Sequence, residues 1–446
     1  MPIHPTLSKV DNAEHGKLRR ILNQGLSDAH IRTMSPEISS IATVFANTLG
    51  EKKDRFDTCH AALAAAPRSE LAALSKEDGW SEPKNMAEWC DFFTFDVMSQ
   101  LVFGVSYDLL KDSENHWVID GVSGQMRRVS FLQQLPELED MKLHKLLFPN
   151  AHRKAYRFSQ KSKAIMEARQ QREKEQHAKA TENGDGNDGQ GEDEAQTKVD
   201  IFSKLLNAKD PESGEGLSQM QLWAESNLLI IAGSDTSSTG LAAAFFYLCR
   251  NPKSYARVVK EVRDAFPDPD QIRPGPTLLS CSYLRACVQE ALRLAPAASG
   301  AMWREVLSGG LVVPGINSDV VIPESLEVAT GIWSLNHHAE YFPEPFAYRP
   351  ERWISGETDA EAVAKAKSAF ATFSHGPRNC VGKSLTMVEI PLALAAVITR
   401  FDFRGAGGSL GEVGEAKGRF KGQYNTFWTF TSLKDGPLVQ FKAIER

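Results

Sequence analysis

From Gln219 to about Cys249 the chain offers one uninterrupted helix, and that stretch limits the folds open to it more than any other. Ser218-x-x-Gln221 has the form of a capping box, and Asn251-Pro252 supplies the stop. At 1.5 Å per residue the helix is roughly 45 Å long, enough to cross a whole domain. It is apolar on nearly every side, through Leu228-Leu229-Ile230-Ile231-Ala232 and Leu241-Ala242-Ala243-Ala244-Phe245-Phe246. A helix without a polar face is central and buried. Its middle breaks the pattern: Ala232-Gly233-Ser234-Asp235-Thr236-Ser237-Ser238-Thr239 places groups in the core that are costly to bury without partners. Two readings stand open there. The hydroxyls bond back to the preceding turn and bend the helix, or the backbone bulges at Gly233 and the pair Asp235 and Thr236 serves chemistry.

The remainder is also mainly helical. Helical patterns run from Asp11 to Thr48 with a restart at Ser35-Pro36, from Met86 to Leu101 ahead of a break at Phe103-Gly104, from His152 to Lys174, and from Ser282 to Ala295. Strand-like runs are short: 310–313, 320–322, 326–332 and 438–441. The fold class is therefore mainly α (α+β), with a small sheet portion. With 446 residues, 42% of them apolar, the chain has enough material for a large core. Length alone suggests two or three domains. Candidate functional residues spread from near residue 15 to residue 382, which favours a single domain over 1–446. The net charge of −6 argues against a nucleic-acid partner, and six acidic residues with no lysine or arginine between Glu182 and Glu194 carry all of it. Residues 181–197 read as a disordered acidic loop. No run of about twenty uncharged apolar residues is present, so no transmembrane segment is expected, and Met1-Pro2-Ile3-His4-Pro5 resembles no signal peptide. The six cysteines have no zinc-ligand spacing and read as reduced and intracellular.

One cysteine differs from the rest. Phe373-Ser374-His375-Gly376-Pro377-Arg378-Asn379-Cys380-Val381-Gly382 sets Cys380 in a loop that opens a helix near Lys383. A thiolate needs positive potential, which the helix N-terminus and Arg378 supply. Gly376 permits a turn that a side chain would block, and Gly382 lets backbone approach a flat macrocycle. Phe373 is placed to lie against such a ring and keep water from the sulfur, and Arg378 to pair with an anionic propionate. The spacing Phe-x-x-Gly-x-Arg-x-Cys-x-Gly describes a haem-iron thiolate ligand, and it resembles the cysteine loop of the cytochrome P450 family at every defining position.

The resemblance extends along essentially the whole chain. Ala232 to Thr236 is similar to the family's Ala-Gly-x-Asp-Thr signature, which implies that Thr236 hydrogen-bonds dioxygen and Asp235 delivers protons through water. Glu290 and Arg293 fit the family's Glu-x-x-Arg pair, and Arg352, within Arg349-Pro350-Glu351-Arg352-Trp353, fits the arginine that completes a structural triad. His15 and Arg19, spaced i, i+4, fit a propionate-binding helix, and Arg304 fits a third propionate arginine. Haem b with Cys380 as axial thiolate is the implied cofactor and metal ligand. Asn227, Ile231, Gly233, Ala297, Ala298, Ser299 and Phe427 are implied pocket residues. His337 and His338 lie in a loop without further ligands and read as structural.

The expected activity is monooxygenation, hydroxylation or epoxidation, of a hydrophobic small molecule. It uses dioxygen and electrons from an NADPH-dependent flavoprotein reductase. Lys17, Arg20 and Lys383 are expected to form the positive patch that meets this reductase. Asp200-Ile201-Phe202 and Phe346-Ala347-Tyr348-Arg349-Pro350 look most like filamentous-fungal members, many of which act in secondary metabolism. The family is usually anchored in the endoplasmic-reticulum membrane facing the cytosol; a monomer is expected. Relative to the family pattern the chain begins at the propionate helix, without the anchor, the first helices and two strands. An unpaired sheet edge and one open pocket wall are therefore expected, as is a kink or interruption at Pro391. Two further readings remain open: a haem-dependent isomerase or dehydratase that needs no reductase, and an inactive truncated member.

Overall fold

In a computed structural model that describes residues 5–67, 69–70, 79–135, 137–182, 200–315 and 318–445, the central helix runs unbroken over Gln219–Arg250. The capping box closes at its start. The Gln221 backbone N–H donates to Ser218 Oγ at 3.3 Å, and the Ser218 N–H donates to the Gln221 side-chain oxygen at 3.0 Å. Two donors that a helix start leaves orphaned are thus satisfied. Among the described residues this is the one helix long and apolar enough to cross a membrane, yet 67% of its most apolar window is buried within the protein.

Its main neighbour is the helix Met86–Phe103, buried along almost its whole length and closed by Gly104 at φ +67°. They meet at Gly233, where a Cβ would lie 2.7 Å from both Sδ and Cε of Met98. One turn away, Thr94 Oγ1 donates to the Ser234 carbonyl at 2.9 Å. Glycine is required here by the neighbouring helix. The backbone bulge expected at Gly233 does not form, because the hydroxyls bond back along an intact helix: Ser234 to the Ile230 carbonyl at 2.7 Å, Thr236 to that of Ala232 at 2.7 Å and Thr239 to that of Asp235 at 3.0 Å.

Helices Asn12–Gly25, Asp28–Thr33 and Ser35–Leu49 lead the chain; Trp117–Gln134 and Pro149–Glu182 pack on each other, and Ser282–Leu294 and Lys383–Ile398 pack on the central helix. The last of these passes Pro391 without interruption, held by the apolar side chains that bury its whole second half. Helix Pro149–Glu182 includes the first two residues of the acidic stretch 181–197; the rest of that stretch lies outside the described residues.

Among the described residues nine short strands complete the fold: β1 (Lys84–Asn85), β2 (Arg304–Glu305), β3 (Leu311–Val313), β4 (Val320–Ile322), β5 (Glu327–Val328), β6 (Phe401–Gly405), β7 (Thr426–Trp428), β8 (Ser432–Lys434) and β9 (Leu438–Ala443). All pair antiparallel, as one sheet β1-β9-β6 and the pairs β2-β5, β3-β4 and β7-β8. The register places Phe403 opposite Phe441 and Lys84 opposite Val439. Strands β3 and β4 carry exposed Leu311, Val312, Val313, Val320 and Val321. Of the strand expected over 326–332, Glu327–Val328 pairs with β2 and Gly331 makes an isolated bridge with Ala301. The chain turns helical at Ile332–Asn336, because Asn336 must reach three backbone and side-chain partners in the core: its amide donates to the Arg293 carbonyl and Thr372 Oγ1, and its oxygen accepts from Ala371 N.

The Glu-x-x-Arg segment is buried and fully partnered. Arg293 Nε and Nη2 donate to the two carboxylate oxygens of Glu290, both at 2.9 Å, and Arg352 Nε donates to Glu290 Oε1 at 2.9 Å. The Trp353 indole and the Arg349 backbone N–H complete the carboxylate's shell at 2.9 and 3.0 Å. Arg293 Nη1 reaches the carbonyls of Asn336 and Pro345, both at 2.8 Å, and Arg352 reaches that of Pro343. One buried carboxylate therefore ties helix Ser282–Leu294 to the chain between Asn336 and Trp353, which leads towards Cys380. Burial pushes the Glu290 pKa up, but the two guanidiniums and their hydrogen bonds outweigh it and hold it below its ordinary value.

Two substitutions test this packing. Arg293→Ala strands an ionised carboxylate in the core and should destabilise the fold by about 3–5 kcal/mol, read by chemical denaturation. Gly233→Val should cost about 1–3 kcal/mol through overlap with Met98, and adding Met98→Ala should restore part of that loss.

Candidate active site

The chain reverses through Phe373–Gly382 with Ser374 and Gly376 at positive φ (+56° and +77°). A Cβ at Gly376 would touch nothing within 4 Å, so the backbone conformation and not crowding calls for glycine there. The Cys380 N–H donates to the Phe373 carbonyl at 2.8 Å and closes the loop. Helix Lys383–Ile398 begins three residues on, and the backbone N–H groups of Gly382 and Lys383 point at the sulfur. Burial raises the thiol pKa above its ordinary value; those N–H groups and the charges of Arg19 and Lys383 oppose it. Yet Cys380 is exposed. A group that water reaches, while protein surrounds it closely enough to disfavour its charge, sits on the floor of a hollow. Phe373 is buried beside it, its ring centre 5.9 Å from Lys383 Nζ.

Cations gather at this hollow. His15 is buried, and its pKa is lowered first by that burial, then by Arg378, Arg19 and Arg304, so all three arginines lie near one imidazole. Helix Asn12–Gly25 carries His15 and Arg19 one turn apart. Arg19 Nη2 donates to Asn379 Oδ1 at 2.7 Å and Nε to Asn23 Oδ1 at 3.0 Å. Arg378 Nη1 donates to the Lys9 carbonyl at 2.7 Å, and Nη2 to the Val10 carbonyl and Asn12 Oδ1 at 3.0 and 2.9 Å. Arg304, exposed on β2, donates to the neighbouring Trp303 carbonyl. Among the described residues no carboxylate pairs with Arg19, Arg304 or Arg378, and no partner bonds the His15 ring.

The polar turn of the central helix lies against the helix that follows Cys380. Ser237 Oγ is 3.4 Å from Thr386 Oγ1, which donates to the Gly382 carbonyl at 3.2 Å. Asp235 has its pKa raised to about 6, chiefly by burial. Of the expected pocket residues, Ala297 is buried with its carbonyl bonded to Ser432 Oγ at 2.8 Å, while Ala298, Ser299 and Ile231 are half-buried. Asn227 is engaged by helix Pro149–Glu182, accepting from Ser162 Oγ at 2.5 Å. Gly233 is likewise half-buried, and the side on which a Cβ would stand is filled by Met98. Phe427 points outward, 65% exposed, and strand alternation sends Trp428 to the other side. There the Trp428 ring covers Gly300, leaving no room for a Cβ.

The expected reductase patch also changes. Lys17 is ion-paired with Glu215, and Arg20 with Asp210 at 2.6 Å and Glu212 at 2.9 Å, so the loop after Asn207 neutralises both. Of the three cations only Lys383 is left without a carboxylate among the described residues. His337 stacks on Trp333, and its Nδ1 lies 2.8 Å from the Trp333 carbonyl; His375 is exposed. Sequence reasoning missed two buried charges beside the site. Lys434 carried no sequence signal. Glu389 did: it is the one acid within Met387-Val388-Glu389-Ile390-Pro391-Leu392 of an otherwise apolar helix.

With this geometry in view, comparisons give its class. The sequence model of the family described as Cytochrome P450 matches residues 7–409. The chain is 57% identical over 444 residues to the cytochrome P450 monooxygenase apf7 of Gibberella fujikuroi, covering 99% of this chain and 78% of that protein. It is 35% identical to a cytochrome P450 monooxygenase of Gibberella zeae, covering 98% and 91%, and 35% identical to the monooxygenase AKT7 of Alternaria alternata, covering 98% and 77%. In fold it matches the crystal structure of the cytochrome P450DA haem domain with a TM-score of 0.69 at 18% identity, over 98% of this chain and 79% of that one. The chain belongs to the cytochrome P450 family of monooxygenases, whose cofactor is haem. The residues fit that group: the open hollow has a thiol at its floor, and the cations without carboxylate partners suit a flat dianion.

Glu389 offers a direct test of the site's interior. It is fully buried on the helix after Cys380, and among the described residues neither carboxyl oxygen has a hydrogen-bond partner. The nearby Ser237 hydroxyl offers the one relief from a burial that raises its pKa to about 8. The folded state therefore binds a proton more tightly than the unfolded state, so stability should fall as pH rises from about 4.5 to about 8. Glu389→Gln keeps the neutral shape and should flatten that slope in thermal melts taken across the window.

Proposed function

We propose that this chain is a haem-thiolate monooxygenase with Cys380 as the iron ligand, acting on a hydrophobic small molecule by hydroxylation or epoxidation. The observation that carries the reading is the sulfur on the floor of an open hollow, with two backbone N–H groups aimed at it and three arginines nearby that lack carboxylate partners among the described residues. Haem, when bound, supplies reductive activation of dioxygen, from which one oxygen atom enters the substrate. His15, Arg19, Arg304 and Arg378 are the groups that hold its propionates. Phe373 covers the cysteine side and limits water there.

On the opposite side Asp235 can take up and release a proton close to neutrality, because burial brings its pKa to about 6. Thr236 Oγ1 now donates to the Ala232 carbonyl; a turn of its χ1 lets the hydroxyl pass a proton onward and take one from Asp235. Ala297, Ala298 and Ser299, with Ile231, line the substrate side, and Trp428 on Gly300 closes part of it. Electrons come from an NADPH-dependent flavoprotein reductase. Lys383, at the exposed start of the cysteine helix, is the cation left to meet it. The likeness to filamentous-fungal members favours a role in secondary-metabolite biosynthesis.

The test is the carbon-monoxide difference spectrum of the reduced chain expressed with haem precursor. A thiolate-type band that Cys380→Ser abolishes supports the reading; haem uptake unaffected by that substitution overturns it. Asp235→Asn should lower product formation by about 10²-fold while leaving the spectrum unchanged.

A further inference from the structure

The carboxyl of Asp235 is enclosed by groups that come from far along the chain. Lys434, on β8, is 4% exposed and donates to Asp91 Oδ1 at 2.7 Å and to Ser238 Oγ at 3.0 Å. Ser238 in turn donates to the Asp235 carbonyl at 2.9 Å. Asp91, on helix Met86–Phe103, is 16% exposed, and Glu88 stands one turn before it, half-buried. Thr431, in the turn ahead of β8, presents its hydroxyl to the same carboxyl. Two buried atoms here, Asp235 Oδ2 and Thr431 Oγ1, face each other without a hydrogen-bond partner among the described residues.

Beside them lies a hollow of about 10 Å³, lined by Asp91, Ser123, Ser234 and Asp235 with Phe95, Ile119 and Val122. That is the space of one water, and the polar lining offers the two to four partners such a water needs. The charges that act on Asp235 are Lys434, which favours its ionised form, and Asp91, which disfavours it. None of the other elements packed on this stretch adds a charge to it among the described residues.

We propose that Lys434 is a positioning residue: with Asp91 it holds the Asp235 carboxyl against a one-water cavity through which that carboxyl is reprotonated. The inference rests on the reading of Asp235 as proton donor. When the Asp235 O–H bond breaks and its proton passes to Thr236, the carboxylate is reprotonated by the water. That water takes a proton from solvent along the half-exposed edge at Asp91 and Glu88. Each hop breaks one O–H bond and forms another, and no electron moves. The ammonium stabilises the carboxylate at the moment it is bare, and Thr431 orients it. An ion pair that merely anchored the C-terminal hairpin would have no reason to stand beside an unpartnered carboxyl and a cavity.

The experiment follows the Asp235 carbonyl stretch by pH-difference infrared spectroscopy on the haem-loaded chain, with the band identified by its loss in Asp235→Asn. Lys434→Met should move the titration midpoint to higher pH, Asp91→Asn should move it to lower pH, and Lys434→Arg should restore it. In turnover, the share of NADPH electrons released as hydrogen peroxide should rise in both Lys434→Met and Asp91→Asn. Midpoints that stay put in both variants overturn the proposal, and an unmoved midpoint in Asp91→Asn alone overturns it if Lys434→Met does not fold. Asp235→Asn with unchanged peroxide release and unchanged solvent isotope effect would instead remove the proton-donor reading itself.

Discussion

Everything on the cysteine side of the molecule depends on one buried carboxylate. Glu290 satisfies two guanidiniums, an indole and a backbone N–H, and those guanidiniums then reach five backbone carbonyls between Asn336 and Ala347. Replacing such a network by apolar residues is often neutral for stability, so its value lies in what it specifies. It sets the path of irregular chain, which has no ladder of its own to fix it, just before the loop that carries Cys380.

A second constraint runs through the core. The central helix can come close to helix Met86–Phe103 only because Gly233 has no side chain to meet Met98, and that approach presents Asp91 on one helix to Asp235 on the other. The contact that sets the packing thus also sets which charge stands beside Asp235. The polar turn interrupts an apolar helix without breaking it, since each hydroxyl returns its hydrogen bond to the turn before.

Much of this was legible in the sequence wherever physics is local. The capping box at Ser218, the stop at Asn251, the end of helix Met86–Phe103 at Gly104 and the Glu-x-x-Arg pair each depend on residues within four positions of one another. The cysteine loop was legible because a rare turn demands particular residues at fixed offsets. The strands at 311–313 and 320–322 were read from their apolar runs, whereas β1, β2, β6, β7 and β8 were missed, most of them being too short for alternation to register. The bulge expected at Gly233 was misread because a glycine on a buried helix looks the same whether it loosens the backbone or makes room for a methionine. The patch at Lys17 and Arg20 failed for a similar reason: their partners Asp210, Glu212 and Glu215 lie some two hundred residues away. Lys434 belongs to the same class, a charge whose meaning is supplied by a distant helix.

The bonds of Arg19 to Asn379 and of Arg378 to Lys9, Val10 and Asn12 join the first helix to the cysteine loop before any cofactor is considered. They also hold cations close together that repel one another. A dianion that enters between them removes that repulsion, so its binding free energy adds directly to the stability of the fold. A chain of this kind is then more stable loaded than empty, and the supply of cofactor during synthesis should raise the share that stays folded.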